Sequence, residues 1–306
     1  MKILRIATRK SQLALWQANH VRAQLLERHR NLKVELIEMT TQGDRTLDVP
    51  LATVGGKGLF LKELERALLE ERADIAVHSM KDVTVTLPDG LDVPVICERS
   101  DPRDAFVSNK HSNLRGMPGG ARVGTCSLRR RCLCKERFPE FDVIELRGNV
   151  NTRLKRLDAG DFEAIILAVC GLQRLGLSSR IREQLNADEF IPAVGQAAIG
   201  IECRVDDAAT LDLVSPLNHP ASAITVRAER AANAALNGGC HVPVAVHARL
   251  TGTRLKIRGM VGMPDGSQVL RDELDGSVDD AEATGQRLGE RLLELGAGSI
   301  LKAVYA

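Results

Sequence analysis

Six segments of this chain that read as short strands each give way, at their C-terminal end, to charged, hydroxyl-bearing or glycine residues. Several of them lead into segments with helical spacing. The clearest is Ile75-Ala76-Val77, which passes into Ser79, Lys81 and Asp82. A run of that length suits a strand buried on both faces of a parallel sheet. The others are residues 3–8, ending at Thr8-Arg9-Lys10-Ser11, and 33–39, ending at Thr41-Gln42-Gly43-Asp44. Further on come 122–124, ending at Thr125-Cys126-Ser127, and 142–146, ending at Arg147-Gly148-Asn149. The last is 164–169, followed by Cys170-Gly171-Leu172-Gln173-Arg174. This alternation predicts an α/β fold, and open α/β sheets bind ligands outside the carboxyl ends of their strands.

A chain of 306 residues exceeds one typical domain. The first block closes where Asp101-Pro102-Arg103-Asp104 replaces the apolar pattern with proline and charge. Residues 191–202 are extended and punctuated by glycine, so 98–104 and 191–202 read as two crossings between blocks, with 207–217 as the return. After Asn218-His219-Pro220, a helix from Ala221 to Leu236 stops at Gly238-Gly239. Alternating segments at 244–250, 254–262 and 267–274, the last turn being Pro264-Asp265-Gly266, precede a helix over 278–294. The expected division is a first α/β domain of residues 1–98 and 199–217 and a second, arginine-rich one of 104–192. A small α+β domain of 220–306 with a three-stranded antiparallel sheet completes it.

Composition excludes several functions. A net charge of +2 and only 3% aromatic residues argue against a general nucleic-acid binder. No run approaches the roughly 20 apolar residues of a membrane span, and the first residues read as a strand rather than a targeting signal. The seven cysteines are odd in number, lack CxxC spacing, and Cys132-x-Cys134 has no histidine nearby, so no metal site is expected. Reduced thiols in a cytoplasmic protein follow. Neither a P-loop nor a GxGxxG pattern occurs, which disfavours a nucleotide-dependent enzyme.

Charge placement is more telling. Ser127 fits the N-cap of a helix starting at Leu128, which puts Arg129, Arg130 and Arg131 in its first turn. Cations there oppose the helix dipole at a cost of about 0.3–1 kcal/mol each. A bound anion would offset that cost and use the unpaired N–H groups; the alternative is that the arginines point into water. Arg9, Arg147, Arg153 and Arg174 likewise follow strand ends or sit early in helices, and parallel strands would bring these four, with Arg129 and Arg130, to one edge. Such a set wants a ligand with many carboxylates or phosphates. Asp82 is the acid among these cations and therefore a catalytic candidate. The glycine-rich stretch 54–60, with Lys57 and Phe60, fits a loop over a ligand. Cys240 lies on a loop after Gly-Gly, and its immediate neighbour His241 would point to the opposite face, which disfavours a Cys-His dyad.

Val77-His78-Ser79-Met80-Lys81-Asp82-Val83, Gly55-Gly56-Lys57-Gly58-Leu59-Phe60 and Asp101-Pro102-Arg103-Asp104-Ala105-Phe106 resemble the porphobilinogen deaminases (hydroxymethylbilane synthases), in their bacterial form. So do Ser127-Leu128-Arg129-Arg130, Leu146-Arg147-Gly148-Asn149 and Gly238-Gly239-Cys240, in order along the chain. The resemblance implies two α/β domains like type II periplasmic binding proteins plus the small third domain. It implies a cytoplasmic, monomeric transferase of heme biosynthesis that joins four porphobilinogens head to tail, releasing ammonia, to give 1-hydroxymethylbilane. Asp82 would be catalytic, and Cys240 would carry a dipyrromethane primer through a thioether. Arg9, Ser11, Lys81, Ser127, Arg129, Arg130, Arg147, Arg153 and Arg174 would bind cofactor or substrate carboxylates.

The chemistry needs those residue types. Porphobilinogen bears acetate and propionate groups, which arginine forks bind bidentately. Loss of ammonia leaves an azafulvene cation that one carboxylate in a water-poor site can stabilise. Three positions depart from the family pattern: Cys126 for the usual Ser, Ala197 for the second Gly of Gly-Gln-Gly, and Thr84 for the Pro that commonly follows Lys-Asp-Val. A non-catalytic anion-binding module of the periplasmic-binding type is the main rival, but it gives no reason for Asp82 among arginines or for the Cys240 domain.

Overall fold

The computed structural model describes residues 2–41, 43, 58, 60–238 and 242–305. Strand β1 (Lys2–Arg9) leads into helix α1 (Gln12–Arg28), which Ser11 starts by accepting a hydrogen bond from the Ala14 N–H at 3.3 Å. Strand β2 (Leu32–Met39), helix α2 (Lys62–Leu69) and strand β3 (Ile75–Ser79) follow, then one 3₁₀ turn, Met80–Asp82, and strand β4 (Leu91–Ile96). Next come β5 (Asp104–Val107), β6 (Arg122–Gly124), α3 (Leu128–Arg137), β7 (Asp142–Ile144) and α4 (Val150–Asp158). After these come β8 (Ala164–Ala168), α5 (Val169–Arg174), β9 (Glu183–Gln184), β10 (Ile199–Arg204) and α6 (Ala208–Val214). The chain closes with α7 (Pro220–Ala235), β11 (Val244–Thr251), β12 (Arg254–Gly262), β13 (Val269–Ser277), α8 (Ala281–Glu294) and α9 (Ala297–Tyr305).

These elements form two units. The first is Met1–Ser100 with Ala197–Ala223, and the second is Asp101–Gln196 with Ile224–Ala306. In the first, five strands lie in the order β2-β1-β3-β10-β4. In the second, the order is β7-β6-β8-β5-β9, beside a separate antiparallel sheet β11-β12-β13. The α/β class with a small antiparallel C-terminal sheet is therefore as expected, with one correction. Neither five-stranded sheet is wholly parallel. β1 runs parallel to β2 and β3, but β10 is antiparallel to β3 and β4. Likewise β6 is parallel to β7 and β8, while β5 is antiparallel to β8 and β9. The reversed strands, β5 and β10, are those that begin just after the chain passes from one unit to the other, at 100/101 and 196/197. They enter their sheets without a preceding helical crossover, so nothing turns them into the parallel direction.

Both faces of each mixed sheet are covered. Ile75 and Val77 join the cluster under α1 with Leu4, Ile6, Val21 and Leu25. Ala76 faces the other way, onto Leu64, Ala67 and Leu68 of α2. Burying a side chain such as Ile75 or Val77 contributes about 1.5–3 kcal/mol, which is why the run reads as continuously apolar. In the second unit, Ala245 and Met260 of the small sheet enter one cluster with Cys132, Leu133 and Cys134 of α3. Arg271 on β13 also donates to Glu136 of α3 at 2.6 Å. Helix α3 thus has one end in the mixed sheet and the other against β12 and β13.

Candidate functional site

In the first unit the parallel strands β1 and β3 are neighbours, with Ala7 beside Ala76, so their carboxyl ends share an edge. Arg9 is the last residue of β1, and its guanidinium lies 4.1 Å over the Phe60 ring. Ser11 caps α1 at the same edge. Lys81 and Asp82 occupy the 3₁₀ turn directly after β3, both half-buried. That turn is fixed from β10 and the residue just before it. The Met80 N–H donates to the Ala198 carbonyl at 3.0 Å, and the Met80 thioether lies where a Cβ on Gly200 would fall, so only glycine fits opposite His78. Gln17 of α1 donates to Ser79 Oγ at 2.7 Å and ties the strand end down from the other face.

A buried polar group lies behind this turn. His78 Nε2 and Glu202 Oε2 are 2.7 Å apart on adjacent strands, and Glu65 of α2 is buried as well. Burial first, and then the charge of Glu202, raise the Glu65 carboxyl above its ordinary range, with His78 and Lys62 opposing. A carboxyl raised on folding gives stability that is fully present below its unfolded value and lost as pH rises through the folded value. Glu65→Gln removes that loss. Its melting temperature, compared with wild type, is expected to improve more at pH 8 than at pH 4. An equal difference at both pH values would contradict the assignment.

In the second unit β6 is parallel to β7 and β8, with Gly124 beside Ile144 and Ile165, so the segments after these strands start from one edge. Ser127 caps α3, accepting from the Arg130 N–H at 3.4 Å. Arg131 is exposed, but Arg129 and Arg130 are only 3% and 5% exposed. The anion beside them is Asp104, the fully buried first residue of β5. Arg129 Nη1 donates to Asp104 Oδ2 at 2.7 Å, and Arg130 Nη2 donates to Oδ1 at 2.8 Å. Burial alone would raise the Asp104 carboxyl, yet the charges and hydrogen bonds of Arg129 and Arg130 outweigh it and hold that carboxyl well below its usual range. The offset that the sequence assigned to a bound anion is thus supplied, in part, by the protein.

It is only in part because two guanidiniums face one carboxylate, leaving positive charge in excess at a helix N-terminus. Arg129 Nε is also buried without a hydrogen-bond partner among the described residues. Of the other arginines after these strands, Arg153 donates from Nε to the Gly148 carbonyl at 2.8 Å, and its Nη2 reaches Cys126 Sγ at 3.2 Å. Arg147 Nε donates to Glu145 Oε1 at 2.6 Å. Arg174 ends α5 and is buried. Ser127, Arg129, Arg130, Arg147, Arg153 and Arg174 therefore all follow the three parallel strands. Lys57 and Cys240 lie outside the described residues. No group of acidic, cysteine or histidine side chains able to hold a metal occurs among the described residues.

Sequence reasoning gave Asp104 no role, because an acid after Asp-Pro-Arg reads as a boundary. Gln196 was missed for a similar reason. It donates to Asp104 Oδ1 at 2.9 Å from inside an extended segment that carries no apolar pattern.

These features define a class: a protein of two mixed α/β sheets that gathers arginines after the strand ends of one unit and sets Lys81 and Asp82 after a strand end of the other. The family model described as porphobilinogen deaminase, dipyrromethane cofactor binding domain, matches residues 4–212, and that of the porphobilinogen deaminase C-terminal domain matches residues 223–294. The chain belongs to the porphobilinogen deaminase family. It is a deaminating transferase that joins porphobilinogens into hydroxymethylbilane on a dipyrromethane cofactor.

Among solved structures the chain is similar to an ABC transporter periplasmic substrate-binding protein from Coxiella burnetii, at 15% identity. That match covers 72% of this chain and 94% of the other, with a TM-score of 0.45. It is also similar to a nutrient binding protein from Burkholderia cenocepacia bound to methionine, at 12% identity over 69% and 90% of the chains, with a TM-score of 0.42. A third is the periplasmic aliphatic sulphonate binding protein SsuA from Escherichia coli, at 13% identity over 78% and 71%, with a TM-score of 0.43.

Proposed function

We propose that Ser127, Arg129, Arg130, Arg147, Arg153 and Arg174, with Arg9, Ser11 and Lys81 in the first unit, hold the carboxylates of dipyrromethane and of porphobilinogen, and that Asp82 is the catalytic acid–base. The observation that carries this reading is the Arg129–Asp104–Arg130 group, whose uncompensated positive charge and orphaned Nε at the start of α3 suit one further carboxylate. Dipyrromethane, when bound, supplies the terminal pyrrole carbon on which the chain grows, and Cys240 is the residue proposed to hold it. The residues of the chain do the rest. The arginines fix the register of each incoming monomer by its acetate and propionate groups. Lys57 and Phe60 are proposed to cover the bound molecule, Phe60 already lying against Arg9.

Asp82 sits past the end of β3, held by β10 through Met80. Its carboxylate would stabilise the positive charge that develops on a substrate carbon as ammonia departs, and would accept at an oxygen the proton lost from the attacking ring. No helix among the described residues is long and apolar enough to cross a membrane. A cytoplasmic monomer is the proposed working form, and the proposed division is the three-domain one, with residues 104–192 and 220–306 as separate domains of the second unit.

The test is primer loading in Arg153→Leu. Loss of one charge-assisted partner should cost about 2–5 kcal/mol of binding. Apo-protein incubated with porphobilinogen should gain the two-pyrrole mass slowly or not at all while its circular dichroism stays native. Loading at the wild-type rate would mean that Arg153 serves only Gly148 and Cys126.

A further inference from the structure

Asp104 occupies an unusual position for a structural acid. Its Oδ1 accepts from four donors: Arg129 Nη2 at 3.2 Å, Arg130 Nε at 3.1 Å, Arg130 Nη2 at 2.8 Å and Gln196 Nε2 at 2.9 Å. Its Oδ2 accepts from Arg129 Nη1. Gln196 is itself pinned, its Nε2 also donating to the Pro102 carbonyl at 2.6 Å and its Oε1 accepting from Arg130 Nη2. Backbone carbonyls finish the cage: Ile191 for Arg129 and Ile166 for Arg130. All of these side chains are buried.

A buried group of this kind is a poor device for stability alone. Replacing paired buried ions by well-packed apolar residues is often neutral or stabilising, and here the charges do not even balance. What the arrangement does provide is geometry. One oxygen shared by two guanidiniums fixes both planes against each other, and one carboxylate removes one of the two positive charges. We infer that Asp104, held by Gln196, is a positioning residue that orients Arg129 and Arg130 and sets the charge of their site to receive a single carboxylate. This rests on the reading that these arginines face the cofactor or substrate.

The experiment uses full-length apo-protein, porphobilinogen as the only ligand, and the rate of gain of the two-pyrrole mass as the readout. Asp104→Asn keeps the shape and removes the charge, and its loading rate is expected to fall at least ten-fold. Glu136→Gln serves as the control. It weakens the arginine pair at the other end of α3, with Arg271, and should lower the melting temperature while loading at the wild-type rate. A folded Asp104→Asn that loads within two-fold of wild type overturns the inference. If Asp104→Asn does not fold, Gln196→Leu decides. It leaves the charges in place, and its loading should slow several-fold with little change in melting temperature. Wild-type loading by Gln196→Leu overturns the inference. Failure of the underlying reading is separable, because it would show as wild-type loading by folded Arg129→Leu and Arg130→Leu, whatever Asp104 and Gln196 do.

Discussion

Asp82→Asn is expected to slow single-turnover elongation by cofactor-loaded enzyme about 10²-fold or more, the usual scale for removing one preorganised charge from a reacting centre. The substitution keeps size and most hydrogen-bonding capacity, so the loss isolates the negative charge. Folding should survive. Asp82 is half-buried at the end of a 3₁₀ turn, outside the apolar clusters, and the turn is held by Met80 and the β10 backbone rather than by the carboxylate. Substrate binding should also survive, since the arginines assigned to it are other residues, so enzyme–substrate forms should accumulate where the primer has been supplied. Elongation within a few-fold of wild type would show that another group carries the reaction.

Local chemistry was legible from the residues, and long-range chemistry was not. Ser11 and Ser127 act as caps because an N-cap depends on three or four consecutive residues. The run Ile75-Ala76-Val77 reads as a doubly covered strand because burial on both faces leaves no polar position. Strand direction is different. β10 has the same apolar character as β3, and only the route of the chain makes it antiparallel. β5 and β9 were missed altogether. Asp104 opens one and Glu183 the other, so charge hides strands whose pairing with each other and with β8 is set by topology. Helix α9 was missed too, because Gly296-Ala297-Gly298 looks like an ending.

The same limit governs the site. That an anion is favoured beside arginines in the first turn of α3 follows from the helix dipole. Which anion does not follow, because Asp104 lies 25 residues away along the chain and meets them only once β5 is laid beside β8. Nor does the helix dipole separate Arg131, which is exposed, from its buried neighbours Arg129 and Arg130. That distinction comes from the angular position of each residue on a helix whose axis the sheet has already fixed.

Growth of the product is proposed to begin from a primer covalently held at Cys240. Cys240→Ala should therefore abolish turnover, to the limit of detection, in a protein whose circular dichroism stays native. Supplying porphobilinogen should not restore it. Cys132, Cys134 and Cys203 are buried, and burial pushes their thiols up to about 12, 12 and 11, so they are poor nucleophiles at neutral pH. The most direct measurement is a peptide map of the active wild-type enzyme by mass spectrometry. The two-pyrrole adduct is expected on the peptide containing Cys240 and on no other cysteine peptide. Fully active enzyme with Cys240 unmodified, or with the adduct on another thiol, would contradict the account.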